Sequence, residues 1–79
     1  MEYTEADLPL SLHHGEIVTL ADGTTVRFDS NGEAKDVFLS DDFSPTAELF
    51  PTHEYTFEAG GSKYKLTAEF SDNILVEKI

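Results

Sequence analysis

The chain has 79 residues, and its 16 Asp and Glu against five Lys and Arg give a formal net charge of −11 at pH 7. This balance excludes direct binding to nucleic acid, which depends on cations that meet phosphates, and it disfavours anionic membrane surfaces. The absence of cysteine excludes disulfides and thiolate metal sites.

A single folded domain, 1–79, is expected from the length and from the three Tyr and six Phe, although high net charge is also typical of disorder. The first residues are acidic where a signal peptide is basic. No stretch approaches the roughly 20 apolar residues of a membrane span. We therefore expect a cytoplasmic protein.

The pattern of the N-terminal segment, 1–14, is ambiguous. One option is a turn over residues 5–8, for which Thr4 suits the N-cap and which Pro9 would end.

The next segment, 16–39, predicts three strands joined by tight turns. A three-residue loop with Gly23 in the left-handed conformation would join the first two strands and pair Val18 with Val26. This register places four apolar residues on one face: Val18, Leu20, Val26 and Phe28.

The third strand, 34–39, follows a turn predicted at 30–32. Val37 alternates with Asp36 and Phe38 along this strand. The pattern leaves open which face points inward.

The connector, 41–52, predicts a short helix. Ser44 is a favourable N-cap, Pro45 suits the first helical position, and Pro51 would end the helix. Two apolar residues of this turn would close an open end of the sheet: Leu49 and Phe50.

The last segment, 53–79, predicts a second meander. Gly60-Gly61 is a two-residue hairpin signal, and it would pair Phe57 with Tyr64. A third strand follows at 74–79. The inward face would hold Tyr55, Phe57, Tyr64, Leu66, Ala68, Phe70, Ile74 and Val76. The whole pattern predicts a mainly β fold of six short antiparallel strands in two meanders, as a small sheet or a partly open barrel, with one short helical turn between the halves.

No segment carries a catalytic signature, because the chain lacks a Cys nucleophile, a Gly-x-Ser-x-Gly elbow and a Gly-rich phosphate loop. Sixteen carboxylates in a short chain form pairs by chance, so their proximity does not indicate acid–base chemistry. His13 and His14 would point to opposite sides of an extended segment, and residues 29–33 lack the twelve-residue calcium loop. We expect no enzyme, no cofactor and no bound metal.

The acid excess is the main functional signal. Residues 1–42 carry ten acids and two bases, whereas residues 43–79 carry six acids and three bases. Alternate residues of a strand lie about 6.8 Å apart, about twice the ~3.4 Å charge rise of one DNA strand, so acids on strands can occupy a groove built for phosphates. The candidates are Asp29, Glu33, Asp36, Asp41 and Asp42, extended by Glu2, Glu5 and Asp7. The competing interpretation is an acidic, solvated face without a specific target.

In its size, acidity, lack of cysteine and lack of a catalytic motif, the chain resembles small acidic anti-CRISPR proteins of phages. The resemblance concerns whole-chain properties and transfers no site residue. Some of those inhibitors imitate DNA and cover the basic surfaces where a CRISPR surveillance complex receives its target or reads its PAM. The resemblance implies a basic, nucleic-acid-handling partner in the cytoplasm of the host cell.

These observations favour a monomeric inhibitor that binds a basic surface without turnover. Electrostatic attraction would set the association rate, and apolar anchors such as Phe38 or Phe43 would slow dissociation. The alternative is a phage head or tail component that assembles through the edges of its sheets.

Overall fold

The computed structural model describes residues 2–40 and 43–79, and these residues form nine strands and one 3-10 turn. The strands are β1 (Glu2–Thr4), β2 (Leu10–His13), β3 (Ile17–Thr19), β4 (Thr25–Asn31), β5 (Ala34–Leu39), β6 (Ala47–Leu49), β7 (Glu54–Ala59), β8 (Ser62–Ala68) and β9 (Asn73–Lys78). The 3-10 turn, Glu5–Asp7, lies within the turn predicted after Thr4.

Two open sheets contain these strands, in the orders β1-β3-β4-β5-β6 and β2-β9-β8-β7. Both predicted meanders are present, as β3-β4-β5 in the five-stranded sheet and β7-β8-β9 in the four-stranded sheet. The pairing of β1 with β3 is parallel and the other pairings of these strands are antiparallel. The mainly β prediction is confirmed. The predicted count of six strands is wrong, because the described residues add β1, β2 and β6.

One hydrophobic core joins the inner faces of the two sheets. The five-stranded sheet and its first turn contribute Val18, Leu20, Val26, Phe28, Val37 and Leu49, and the four-stranded sheet contributes Leu12, Tyr64, Leu66, Ala68, Ile74 and Val76. Because every strand of both meanders sends alternate residues to this core, the intervening residues face outward.

The first hairpin has the predicted register. Val18 pairs with Val26, and the N–H of Leu20 donates to the carbonyl of Thr24 at 2.7 Å. Gly23 has a φ of 92°, which is the left-handed conformation that the three-residue loop requires.

The hairpin of β7 and β8 also has the predicted register. Phe57 pairs with Tyr64, and their ring centroids lie 5.4 Å apart. Gly60 and Gly61 have φ values of 59° and 82°, as expected for a type I′ turn.

The turn between β4 and β5 begins two residues later than predicted and ends one residue later. Asn31 pairs with Ala34, so the turn consists of Gly32 and Glu33. Val37 faces the core, and the residues before and after it in β5 face outward. This settles the direction that the sequence pattern left open.

The helix predicted in the connector is wrong. Residues 47–49 form β6, which pairs with β5 through Lys35 and Val37. A helical turn would leave the outer backbone groups of β5 unpaired, whereas β6 satisfies them. Leu49 is buried as expected, but Phe50 is 45% exposed and does not close the core.

Phe70 is the clearest error in the predicted core, because its side chain is 85% exposed. The alternation of β8 ends at Ala68, and the chain then bends through residues 70–72 before β9 begins. The N–H of Glu69 donates to the carbonyl of Asn73, which closes this bend. The inward pattern of β8 therefore stops one step before Phe70.

In the parts of the chain that the structure describes, no helix has the length and apolarity needed to cross a membrane.

Candidate partner-binding surface

Three carboxylates lie side by side on the outer face of the five-stranded sheet. Asp29 of β4 is directly opposite Asp36 of β5, and Asp36 is directly opposite Glu48 of β6. Their strand neighbours Phe28 and Val37 are buried, so the three acids point away from the core. We call these three residues the acidic ladder. Like charges at directly opposite positions destabilise a sheet, so this arrangement carries an energetic cost.

Among the described residues, little positive charge lies close to the three carboxylates of the ladder. Nη1 of Arg27 lies 3.9 Å from Oδ2 of Asp29, and Nε2 of His14 lies 3.3 Å from Oδ1 of the same carboxylate. Both pairs are exposed, and the histidine adds positive charge only when protonated. Nδ2 of Asn31 reaches the other two ladder carboxylates at 3.3 and 3.5 Å, and neither has an ion pair with a described Lys or Arg.

Phe38, a predicted anchor, lies next to the ladder on the same face. It pairs with Arg27 across β4 and β5, and the guanidinium carbon lies 4.4 Å from the centre of the phenyl ring. This is the geometry of a cation–π contact. The ring is half-buried, and Arg27 covers its outer side.

The remaining predicted acids of this region are at its end. Glu33 is exposed in the turn between β4 and β5, three residues from Asp36. Asp41 and Asp42 lie outside the described residues. Phe43, the other predicted anchor, is fully exposed.

The N-terminal acids lie elsewhere and make different contacts. Glu5 is half-buried and accepts hydrogen bonds from the Tyr64 hydroxyl, from the N–H of Ala21 at 3.1 Å and from Nζ of Lys78 at 3.1 Å. The bond from Tyr64, followed by that from Ala21, holds the pKa of Glu5 below its ordinary value. Glu5 thus links the 3-10 turn to both sheets.

Asp7 and Glu2 do not extend the ladder. Asp7 accepts a hydrogen bond from the N–H of Thr4 at 2.9 Å, which stabilises the start of the 3-10 turn. Glu2 is exposed on β1, an edge strand that is separated from β4 by β3.

Glu48 is the ladder residue that sequence reasoning missed. It was placed in a helical turn, where it would not face Asp36. The alternation of Ala47, Glu48 and Leu49 was a possible signal for a strand, but three residues are too few to separate this pattern from a helix.

A metal centre does not emerge from the described residues, in which no group of three or more His, Asp or Glu side chains is arranged to hold an ion. His14 contacts Asp29, whereas the backbone N–H of His13 donates to Glu16 at 2.8 Å.

The chain matches no protein-family model, and comparison with curated proteins and with solved structures finds no significant match to either.

Proposed function

We propose that the protein is a non-enzymatic inhibitor that binds the basic, nucleic-acid-binding surface of another protein. In this proposal the acidic ladder occupies positions that the partner would otherwise use for phosphates. The ladder attracts Lys and Arg of the partner, which accelerates association and orients the two proteins.

The observation that carries the proposal is the pairing of Asp36 with an acid on both sides. Directly opposite residues of neighbouring strands lie about 4.5–5.5 Å apart, whereas alternate residues along one strand lie about 6.8 Å apart, so the ladder is the denser arrangement of charge. The ladder therefore offers a short row of negative charge at an interval that a basic groove can accommodate.

The cost of the ladder argues against an acidic face that only confers solubility. Acids dispersed over the surface would give the same net charge without the roughly 0.2–1 kcal/mol lost at each like-charged pair. Asp29 and Glu48 flank Asp36 instead, and no described base separates these acids. A basic partner removes this repulsion on binding, which makes the arrangement favourable in the complex.

The class of partner comes from the whole-chain resemblance to small acidic anti-CRISPR proteins. A CRISPR surveillance complex has extended basic channels for guide and target strands. A compact domain with a charge of −11 complements such a channel. We therefore propose that the ladder blocks the path of target DNA in a complex of this kind.

A second candidate is a phage head or tail component that assembles through sheet edges. It is favoured by β7, a six-residue edge strand that pairs with β8 on one side. Glu54 and Glu58 are spaced along the outer face of β7, where antiparallel pairing of two copies about Thr56 would bring them together. Charged edge residues of this kind oppose self-pairing, so this candidate ranks second.

The test is to add the protein to purified CRISPR surveillance complexes that hold a fluorescent target duplex. Release of the duplex is measured by fluorescence anisotropy. We expect the parent protein to release the duplex at near-equimolar amounts from at least one complex of a panel. The triple variant Asp29→Asn, Asp36→Asn, Glu48→Gln should bind that complex about 3- to 150-fold more weakly, because each exposed pair is worth about 0.2–1 kcal/mol.

The control variant removes three acids from the outer face of the four-stranded sheet, Glu54→Gln, Glu58→Gln and Glu77→Gln, and it has the same net charge as the ladder variant. It should retain most of the inhibition. If both variants lost inhibition equally, net charge alone would explain the effect. That result would contradict a specific role for the ladder. If no complex releases its duplex and the protein elutes as an oligomer in size-exclusion chromatography, the assembly candidate replaces the proposal.

A further inference from the structure

Phe70 lies in the bend between β8 and β9, beside two adjacent depressions. One has a volume of about 550 Å³ and is lined by Thr52, Thr67, Ala68, Glu69, Phe70 and Ser71. The other has a volume of about 470 Å³ and shares Phe70 and Ser71 with the first, adding Glu33, Pro51 and Asp72 among others. We call the two together the Phe70 cleft. An exposed phenyl ring between two depressions is a surface that a partner's side chain can cover.

The accessible charge of the cleft is negative. Glu33 is exposed and makes no hydrogen bond or ion pair with another described residue, and Oδ1 of Asp72 accepts a hydrogen bond from the Ser30 hydroxyl at 2.6 Å. Lys35 also lines the cleft, but it is only 5% exposed and its Nζ donates to the carbonyl of Glu69 at 2.7 Å. The cleft thus combines an aromatic face with carboxylates that lack an exposed counter-charge.

The wall of the cleft is held in a fixed conformation. Thr52 has a φ of 72°, which a β-branched residue rarely adopts. Its N–H donates to the carbonyl of Ala68 at 2.8 Å, and the N–H of Ala68 donates to the carbonyl of His53 at 3.0 Å. These two bonds fasten the segment before β7 to the end of β8, so the backbone on the Thr52 side of the cleft is held in place.

The cleft and the acidic ladder share the hairpin of β4 and β5 but lie on opposite faces of it, since Ser30 and Lys35 line the cleft. Glu33 follows β4 at the turn, and Asp29 and Asp36 lie on the two strands that this turn connects. Among the acids that line the cleft, Glu33 is the one that belongs to the same hairpin as the ladder.

We infer that the Phe70 cleft binds a single arginine side chain of the partner protein. The guanidinium stacks on the phenyl ring and pairs with the carboxylates of Glu33 and Asp72. Arginine fits better than lysine, because its planar, weakly hydrated head stacks on aromatic faces and pairs with carboxylates at the same time. An apolar side chain would cover the acids without supplying a counter-charge. The inference rests on the proposed function, since it names one contact within that basic partner.

The test is a titration of isotope-labelled protein with an acetylated, amidated hexa-arginine peptide, followed by NMR at low ionic strength. The matching hexalysine peptide has the same charge. We expect shifts of the Phe70 ring and of the Thr52 and Ser71 amides, and about two- to five-fold tighter binding of the arginine peptide, as an exposed cation–π contact provides.

Phe70→Leu should abolish the preference for arginine while leaving the shifts of the ladder residues in place. Because the side chain is exposed, this variant should fold normally. The control is Phe50→Leu, which removes another exposed phenyl ring and should keep the preference. Equal affinity of the parent protein for both peptides, or a preference that survives Phe70→Leu, would overturn the inference.

The two proposals fail separately. Shifts at the ladder without shifts at Phe70 would refute the cleft and leave the proposed function standing. Shifts at Phe70 without shifts at the ladder would instead contradict the role of the ladder.

Discussion

Arg27 and Lys35 are the two bases among the first 42 residues, and strand alternation sends them to opposite faces of the five-stranded sheet. Lys35 pairs with Ser30 on the inner side, where its ammonium is buried against the carbonyl of Glu69. Only Arg27 stays outside, and its guanidinium is shared between Phe38 and Asp29. Because Lys35 points inward, Arg27 is the base that β4 and β5 place on the outer face, beside Asp29 and Asp36.

Glu5 illustrates a carboxylate whose charge supports the fold instead of the surface. It accepts hydrogen bonds from the Tyr64 hydroxyl, the Ala21 N–H and the Lys78 ammonium. These partners stabilise the ionised form and lower the pKa of Glu5 from its ordinary value of 4.5. Its identity as an acid is visible in the sequence, but its three partners come from distant segments.

We predict that Glu5→Gln lowers the melting temperature at neutral pH. The folded-state pKa of Glu5 is depressed, so its contribution is present above about pH 4.5 and is lost as the pH falls through the lowered pKa. The melting temperatures of the parent and the variant should therefore converge in acid. Thermal unfolding followed by circular dichroism between pH 7 and about pH 2 measures this. Glu2→Gln, at an exposed edge position, should follow the parent throughout, and a constant gap between Glu5→Gln and the parent would contradict the assignment.

At the scale of elements, the sequence predicts the hairpins whose two strands are adjacent in the chain. Both hairpins joined by Gly23 and by Gly60-Gly61 have the expected registers, because the turn residues and the alternating pattern act between segments that are adjacent in the chain. Short strands paired with distant segments were not predictable in this way. β1, β2 and β6 have three or four residues each, and their pairing depends on edges that the rest of the fold creates.

The residues of the candidate site show the same difference between local and long-range structure. Asp29 and Asp36 were identified because they belong to one hairpin. Glu48 was missed because it reaches them through β6. The sequence pattern predicts Phe70 in the core because its position continues the alternation of β8. The strand ends at Ala68, however, and Phe70 is exposed.

The Gly60-Gly61 turn provides a test of hairpin geometry. Both residues have positive φ, so an alanine at either position should cost about 1–3 kcal/mol of strain. At Gly60 an added Cβ would also lie 2.7 Å from Cβ of Asp22, whereas nothing lies within 4 Å at Gly61. We therefore expect Gly60→Ala to lower the free energy of unfolding more than Gly61→Ala does.

Urea unfolding at equilibrium measures both variants. The comparison contains its own control, since the two substitutions differ in their surroundings but not in chemistry. Equal losses would mean that the two hairpin tips do not approach each other as closely as the structure indicates.

At the scale of the whole molecule, self-repulsion should limit stability. The net charge of −11 is carried by a domain with a radius of gyration of 11.2 Å, which is comparable to the screening length of about 10 Å at 0.1 M salt. Acids on opposite sides of the molecule therefore still interact at low ionic strength. Screening should relieve this repulsion, and the acidic ladder should account for a measurable part of it.

We predict that the melting temperature of the parent rises as sodium chloride increases from about 10 mM to about 500 mM. Asp36→Asn should melt at a higher temperature than the parent at low salt, because its free energy of unfolding rises by up to about 1 kcal/mol for each like-charged pair that is removed. Its melting temperature should also rise less as salt is added. Asp22→Asn is the contrasting variant, because the Asp22 carboxylate accepts hydrogen bonds from Thr24 and its removal should destabilise the turn. If the melting temperature of the parent did not change with salt, bound cations or local ion pairs would already balance its charges.

The pairing of β2 with β9 has a consequence for the order of folding. Leu10 lies opposite Val76, so this contact closes a loop of most of the chain, whereas each meander closes only short loops. Loop-closure entropy favours the short loops first, and long-range pairing of this kind slows folding. The two meanders are therefore expected to assemble as separate units, with residues 2–13 docking last and joining β3 to β9. Until that segment docks, the backbone amides of β9 that face β2 stay open to hydrogen exchange, and its free edge is the surface most exposed to mispairing.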